Sequence, residues 1–216
     1  AFLLPKHAGG VSLDALKYLE ASVEEEYLLD PLTWFDRAIG CKAAEGHRLR
    51  KELEHAGLIE LVAIKTGRKG GAVKVMCASE KGYGVLNEMG VKVSRPKGKG
   101  GVQSQFWQAH IARYLRRCHP GARVTIEDAR SGKAVDVALE VDGELVAFEV
   151  NLTTNWLSEN VVKDLMGYHR VVICALTDQD VEAHTRRLQK ELVIEWERLR
   201  QSISFRLLHT FLADRH

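Results

Sequence analysis

Apolar and polar residues alternate along this chain with two different periods, and the change of period divides it. Leu13, Leu16, Leu19 and Val23 recur at three- and four-residue intervals after Ser12, which predicts a first helix with one buried stripe. Asp30-Pro31 predicts an N-cap followed by a proline in the first helical position. This second helix carries Trp34, Phe35 and Ile39 and stops at Gly40. A third helix is predicted over 42–56, with Leu49 and Leu53 inward and Lys42, His47, Arg48, Arg50 and Lys51 outward, ending at Gly57. Residues 58–64 and 72–76 read as two strands around a flexible basic tip, 65–71, that contains Arg68 and Lys69. Ser79 then caps a closing helix carrying Tyr83, Leu86 and Met89.

A proline-containing, glycine-rich basic stretch at 91–101 has the composition of a linker. Beyond it, Phe106, Trp107, His110, Ile111, Tyr114 and Leu115 form a helical stripe, with His110 as a core histidine. A strand at 123–127, a hairpin at 133–152, a helix at 158–166, a strand at 170–176, a long helix at 178–200 and a strand at 202–208 follow. The alternation predicts α/β architecture, α+β over the whole chain, in domains 1–90 and 102–216 joined by the linker 91–101. Gln105 and Gln108 read as surface glutamines or as the lining of a cleft, and Trp156 as a cover for the core or a stacking surface for a base.

Composition narrows the partners. No apolar run approaches the roughly 18 residues that a membrane span needs, so no membrane partner is expected. Cys41, Cys77, Cys118 and Cys174 are scattered without a C-x-x-C pair, and read as reduced thiols of a cytoplasmic protein. The opening AFLLPKHAGG has neither an initiator Met nor a basic start, and reads as a trimmed start or as the tail of a longer polypeptide. The net charge of +2 conceals a division: residues 1–41 hold 3 Lys/Arg against 7 Asp/Glu, and residues 42–101 hold 13 against 6. Positive charge gathers on the third helix, the strand tip and the linker, which suits a polyanion.

The strongest chemical signal lies in KAVDVALEVDGELVAFEVNL. Asp142-Gly143 between two alternating runs predicts a two-residue turn, so Val141 faces Glu144 and, counting back, Asp136 lies directly opposite Glu149 on one face. Asn151 shares that face. Val135, Val137, Leu139, Val141, Val146, Phe148, Val150 and Leu152 point to the other face as core. Two opposed carboxylates repel unless a positive charge sits between them, and a divalent cation, Mg²⁺ or Mn²⁺, held by Asp136 and Glu149 is the economical answer.

Two resemblances follow from these residues. The order helix, helix, helix, hairpin, helix, with the words LRKELEHAGLIEL and SEKGYGVL, resembles the winged helix-turn-helix domains of bacterial regulators over about residues 11–90. By that resemblance the third helix enters the major groove of double-stranded DNA with Lys42, Arg48, Arg50 and Lys51, while Arg68 and Lys69 reach the backbone; the alternative is a winged helix used for protein contacts. Asp136, a gap of 12 residues and then Glu149-Val150-Asn151 resembles the D…(D/E)-x-K core of PD-(D/E)XK nucleases, a restriction-endonuclease-like α/β/α fold around a mixed sheet, over about residues 102–176. The resemblance implies a metal-dependent deoxyribonuclease in which Glu127 supports a second ion. The family's lysine is replaced by Asn151, and Lys163, or after it Lys133, is the candidate to supply its charge. The alternative is a degenerate nuclease fold that binds DNA as a regulator or assembly module without cutting it. The combination also resembles the carboxy-terminal part of larger DNA-translocating ATPases of mobile elements, so a homodimer or a longer parent polypeptide is a further partner to consider.

Overall fold

The computed structural model describes residues 10–68, 71–130, 132, 134–153 and 155–212. The chain is mixed α+β and divides into two compact units, Ala1–Ile64 with Val73–Pro96 and Lys65–Ala72 with Lys97–His216. Among the described residues no helix is long and apolar enough to cross a membrane.

In chain order the first elements are α1 (Leu13–Ser22), α2 (Leu32–Ala38), α3 (Ala43–His55), a hairpin of β1 (Ile59–Lys65) and β2 (Ala72–Ala78), and α4 (Glu80–Glu88). Ser12 and Ser79 cap α1 and α4 by accepting the N–H groups of Ala15 and Gly82, which α-helical bonding leaves unpaired. Leu16, Leu19, Leu53, Leu58 and Leu86 are wholly buried and hold these helices around one apolar centre. Leu13, expected on the buried stripe, is 39% exposed; Ala15 and Tyr18 take the inward positions beside Leu16 and Leu19 instead. The second helix starts one residue later than its proline suggested, because Pro31 is itself the N-cap and forms a β-bridge with Val75. The first half of the basic stretch is not a free tether. Val91 and Val93 pack on the apolar centre, the Ser94 N–H donates to the Val23 carbonyl at 3.0 Å, and Arg95 lies over the Tyr83 ring while pairing with Glu80 at 2.6 Å.

The second unit contains α5 (Val102–Cys118), β3 (Arg123–Asp128), β4 (Val135–Val141), β5 (Glu144–Val150), α6 (Leu157–Gly167), β6 (Arg170–Ala175), α7 (Asp178–Glu191), α8 (Trp196–Leu199), β7 (Ile203–Leu207) and a 3-10 turn at Leu208–Leu212. The five strands form one mixed sheet in the order β3-β4-β5-β6-β7, antiparallel from β3 to β5 and parallel from β5 to β7. Parallel neighbours need a crossover, and α6 and α7 provide the two. They cover the face that carries Ala147, Val171 and Ile173, through Leu157, Val161 and Leu188. α5 and the 3-10 turn lie on the other face, where Phe211 meets both Phe148 and Tyr114 edge to face. The long helix expected to reach residue 200 ends at Glu191, since Val193 and Ile194 are β-branched and exposed, with no packing to offset their weak helix propensity.

Arg50 does not project outward as the sequence suggested. It is buried, and its Nη1 donates to Asp36 Oδ1 at 2.7 Å and to the Tyr18 hydroxyl, which itself donates to that carboxylate oxygen at 2.5 Å. One residue from each of α1, α2 and α3 thus meets in a single buried network. Burial, and then the bond to Asp36, raise the Tyr18 phenol above its ordinary pKa. The network explains a glycine inside α3: a Cβ at Gly46 would lie 2.6 Å from Asp36 Oδ1 and 2.8 Å from Arg50 Nη1. Replacing a mid-helix glycine by alanine ordinarily stabilises by about 1 kcal/mol. Gly46→Ala is expected to lower the urea midpoint followed by circular dichroism, because the methyl group pushes apart a charge pair that has no water to turn to; an unchanged or raised midpoint would contradict this packing.

Candidate active site

The turn between β4 and β5 decides the site. Asp142 and Gly143 both have positive φ, 50° and 81°, as a two-residue type I′ connection requires. The register that follows, Val141↔Glu144, Leu139↔Val146 and Val137↔Phe148, is the one the turn predicts. The next row would set Asp136 opposite Glu149, and there the regular ladder stops. On the other side of β4 the pairs Ile126↔Val137 and Asp128↔Val135 bracket Glu127, which is unpaired in the ladder and has a φ of 55°. The row that crosses Glu127, Asp136 and Glu149 is therefore interrupted on both sides of β4.

Side chains occupy the places the ladder leaves. The Asp136 N–H donates to Glu149 Oε1 at 3.3 Å, and the Val150 N–H donates to Asp136 Oδ2 at 2.7 Å. The other oxygen, Asp136 Oδ1, accepts from Gln108 Nε2 at 2.6 Å. Glu127 accepts the Lys99 N–H. Asp136 and Glu149 are thus in contact as expected, but the Asp136 carboxylate turns into the gap between the strands and toward α5 instead of standing squarely beside Glu149. The alternation slips at the same place: Val135, expected with Val137 on one face, packs with Ala138 and Ala147 on the other.

Charge converges on Cys174, which pairs with Val150 on one side and Arg206 on the other. Burial raises its thiol pKa, Asp136 and Glu149 raise it further, and Arg206 opposes them. Arg206 is held over the Tyr114 and Phe211 rings, with Nη2 donating to the Tyr114 hydroxyl at 2.7 Å and Nε to Thr210 at 3.0 Å. Two acids and a fixed guanidinium accordingly all act on one buried thiol.

Asn151 leaves β5 with its N–H on the Cys174 carbonyl at 2.9 Å. Lys163 is exposed on α6, two residues from the buried Val161 and so turned away from the sheet; it is not placed to serve the carboxylates. Lys133 and Lys69 lie outside the described residues. On α3 and its N-cap, Lys42, Arg48 and Lys51 are exposed, with Arg48 3.5 Å from Glu52, and Arg68 is exposed at the hairpin tip. Of the two readings open for Gln108, surface residue or lining of a cleft, the structure has the second: it is buried on α5 beside Trp107 and bonded to Asp136. Arg206 was not legible as a site residue, since it became a neighbour only through parallel pairing, which no local pattern encodes.

The donor set suits a hard cation, since Asp136, Glu149 and Glu127 offer only oxygen. Among the described residues no group of three or more His, Cys, Asp and Glu is placed to hold a metal ion together. No family model and no curated protein matches the sequence. Among solved structures, protein VC1899 from Vibrio cholerae is similar over 98% of this chain and 56% of its own, at 11% identity and a TM-score of 0.35. This chain spans about half of that protein, and a likeness so loose leaves the chemistry of the residues as the basis for a reading.

His184 of α7 lies beside this end of the sheet. It is 2% exposed, and neither ring nitrogen has a partner in hydrogen-bonding geometry among the described residues. Burial lowers its pKa; Arg187 adds to the fall, and the Asn151 backbone and Asp180 oppose it. The folded state therefore holds His184 neutral while the unfolded chain protonates it below the ordinary imidazole range. Its contribution to stability is fully present above that range and lost as pH falls through it toward the lowered value. Stability is expected to fall as pH drops through the ordinary imidazole range, and urea titrations of His184→Phe should show a flatter dependence. Equal slopes in the two proteins would remove His184 as the cause.

Proposed function

We propose that the chain binds duplex DNA through a winged helix-turn-helix over about residues 11–90 and hydrolyses phosphodiester bonds at a PD-(D/E)XK-type site beyond the linker, with Mg²⁺ or Mn²⁺. The observation that carries the reading is the meeting of Asp136 with Glu149, at the strand where the sheet changes from antiparallel to parallel and with Glu127 in the same row.

A cation held by Asp136 and Glu149 would neutralise the charge of the scissile phosphate and polarise it. Gln108 and the Val150 N–H fix the orientation of Asp136, so that the carboxylate need not reorganise when substrate arrives. Asn151 orients a water by hydrogen bonding but brings no charge. Arg206 is the fixed cation nearest in kind to the lysine that position 151 lacks, and it shares the electrostatic surroundings of Cys174 with both acids. On the DNA side, exposed Lys42, Arg48 and Lys51 on one helix favour phosphate contact, while Arg50 is withdrawn into the buried network.

A second reading, a domain that holds DNA without cutting it, is favoured by the two donors already bound to Asp136 and by Lys163 facing away. Incubation with supercoiled plasmid in Mg²⁺ or Mn²⁺ separates the two. The hydrolytic reading expects nicking that falls at least about a hundred-fold in Asp136→Ala and in Glu149→Ala. Nicking that survives both substitutions, or none with either metal, leaves the second reading. For the first unit, Arg48→Ala with Lys51→Ala should weaken duplex binding and reduce the slope of log affinity against log salt by about 2. An unchanged slope places the DNA site elsewhere.

A further inference from the structure

The segment leaving β5 brings Asn155 and Trp156 to the start of α6. There Asn155, Trp156, Ser158, Glu159, Arg187 and Glu191 line an open cleft of about 480 Å³. Trp156 is 66% exposed, so it does not cover the core, and its φ of 61° is one a bulky residue holds only when its surroundings keep it there. A large flat ring is thus presented to solvent at the wall of a cleft. The polar groups beside it are unequally engaged. Glu191 is occupied, accepting from the Ser158 hydroxyl and, at 2.7 Å, from Arg187 Nε. Glu159 is exposed and has no hydrogen bond or ion pair among the described residues, which leaves its carboxylate as the acceptor the cleft offers.

We propose that this cleft takes an unpaired guanine base of a nucleic-acid strand, stacked on the Trp156 indole with its N1–H and N2–H groups on the Glu159 carboxylate. An exposed indole accepts any base face. The carboxylate chooses among bases, since its two oxygens match two adjacent donors, which guanine alone presents on its Watson–Crick edge. The inference rests on the nucleic-acid reading above and deepens it: it makes an opened or single-stranded segment, not only intact duplex, part of what the second unit recognises.

The test is fluorescence anisotropy of labelled oligo-dT carrying one central dG, against plain oligo-dT, with the full chain in EDTA so that no strand is cut. The dG strand is expected to bind roughly ten-fold more tightly. Trp156→Ala should weaken binding of the dG strand roughly ten-fold or more, while Trp156→Phe, which keeps a ring, should retain most of it. Glu159→Gln should erase the preference for dG over plain oligo-dT. Circular dichroism establishes that each variant is folded, and Trp156→Phe keeps the test decisive if Trp156→Ala is not. Equal binding of the two strands by the unmodified chain, or dG binding indifferent to both Trp156→Ala and Glu159→Gln, overturns the proposal. Its fate is separable from that of the hydrolytic site: Trp156-dependent binding without nicking defeats only the nuclease reading, and Asp136-dependent nicking without Trp156-dependent binding defeats only this one.

Discussion

The chemistry of the second unit depends on a two-residue turn. Asp142 and Gly143 hold positive φ values that few residue pairs tolerate, and once they do, every cross-strand pair of β4 and β5 is determined. A slip of one residue would carry Glu149 and its neighbours to the other face and separate it from Asp136. The turn lies at the opposite end of the hairpin from the acids and touches neither, yet it is what makes them neighbours.

The interrupted row at Glu127, Asp136 and Glu149 shows how a sheet can hold ionised side chains between its strands. Where the ladder lapses, backbone N–H groups need acceptors, and the carboxylates of Asp136 and Glu149 supply them. The acids hold the break in shape and the break holds the acids. This reciprocity limits how far Asp136 can turn without exposing an unmet backbone donor. It also gives Gln108, buried on α5, a part that no surface glutamine would have: it sets the direction of one carboxylate oxygen from outside the sheet.

The first unit makes a different use of buried charge. Tyr18, Asp36 and Arg50 join three helices that otherwise share an apolar centre, and non-directional packing alone allows helices to slide and rotate. A buried ion pair is a weak source of net stability, since desolvation consumes much of the attraction, but it tolerates few alternative arrangements. Gly46 marks the cost of that choice: α3 gives up helix propensity at one position so that the pair fits.

By itself the sequence determined most of the element order, the capped starts of α1 and α4, the hairpin register and hence the closeness of Asp136 to Glu149, because these rest on local periodicity, on the backbone preferences of glycine and on side chains reaching a few residues along. Tertiary structure alone decided the rest. Arg50 turned inward because Asp36, fourteen positions earlier on another helix, offered a carboxylate in a place without water. Arg206 joined the acids through parallel strands whose register no turn encodes. Lys163 faced away because the apolar stripe of α6 chose which side met the sheet. Trp156 stood in solvent although its ring suited the core. Each of these depends on what another segment offers at that point in space, and the free energy of burying or pairing a side chain is set by that neighbour and not by the residue's own position in the chain.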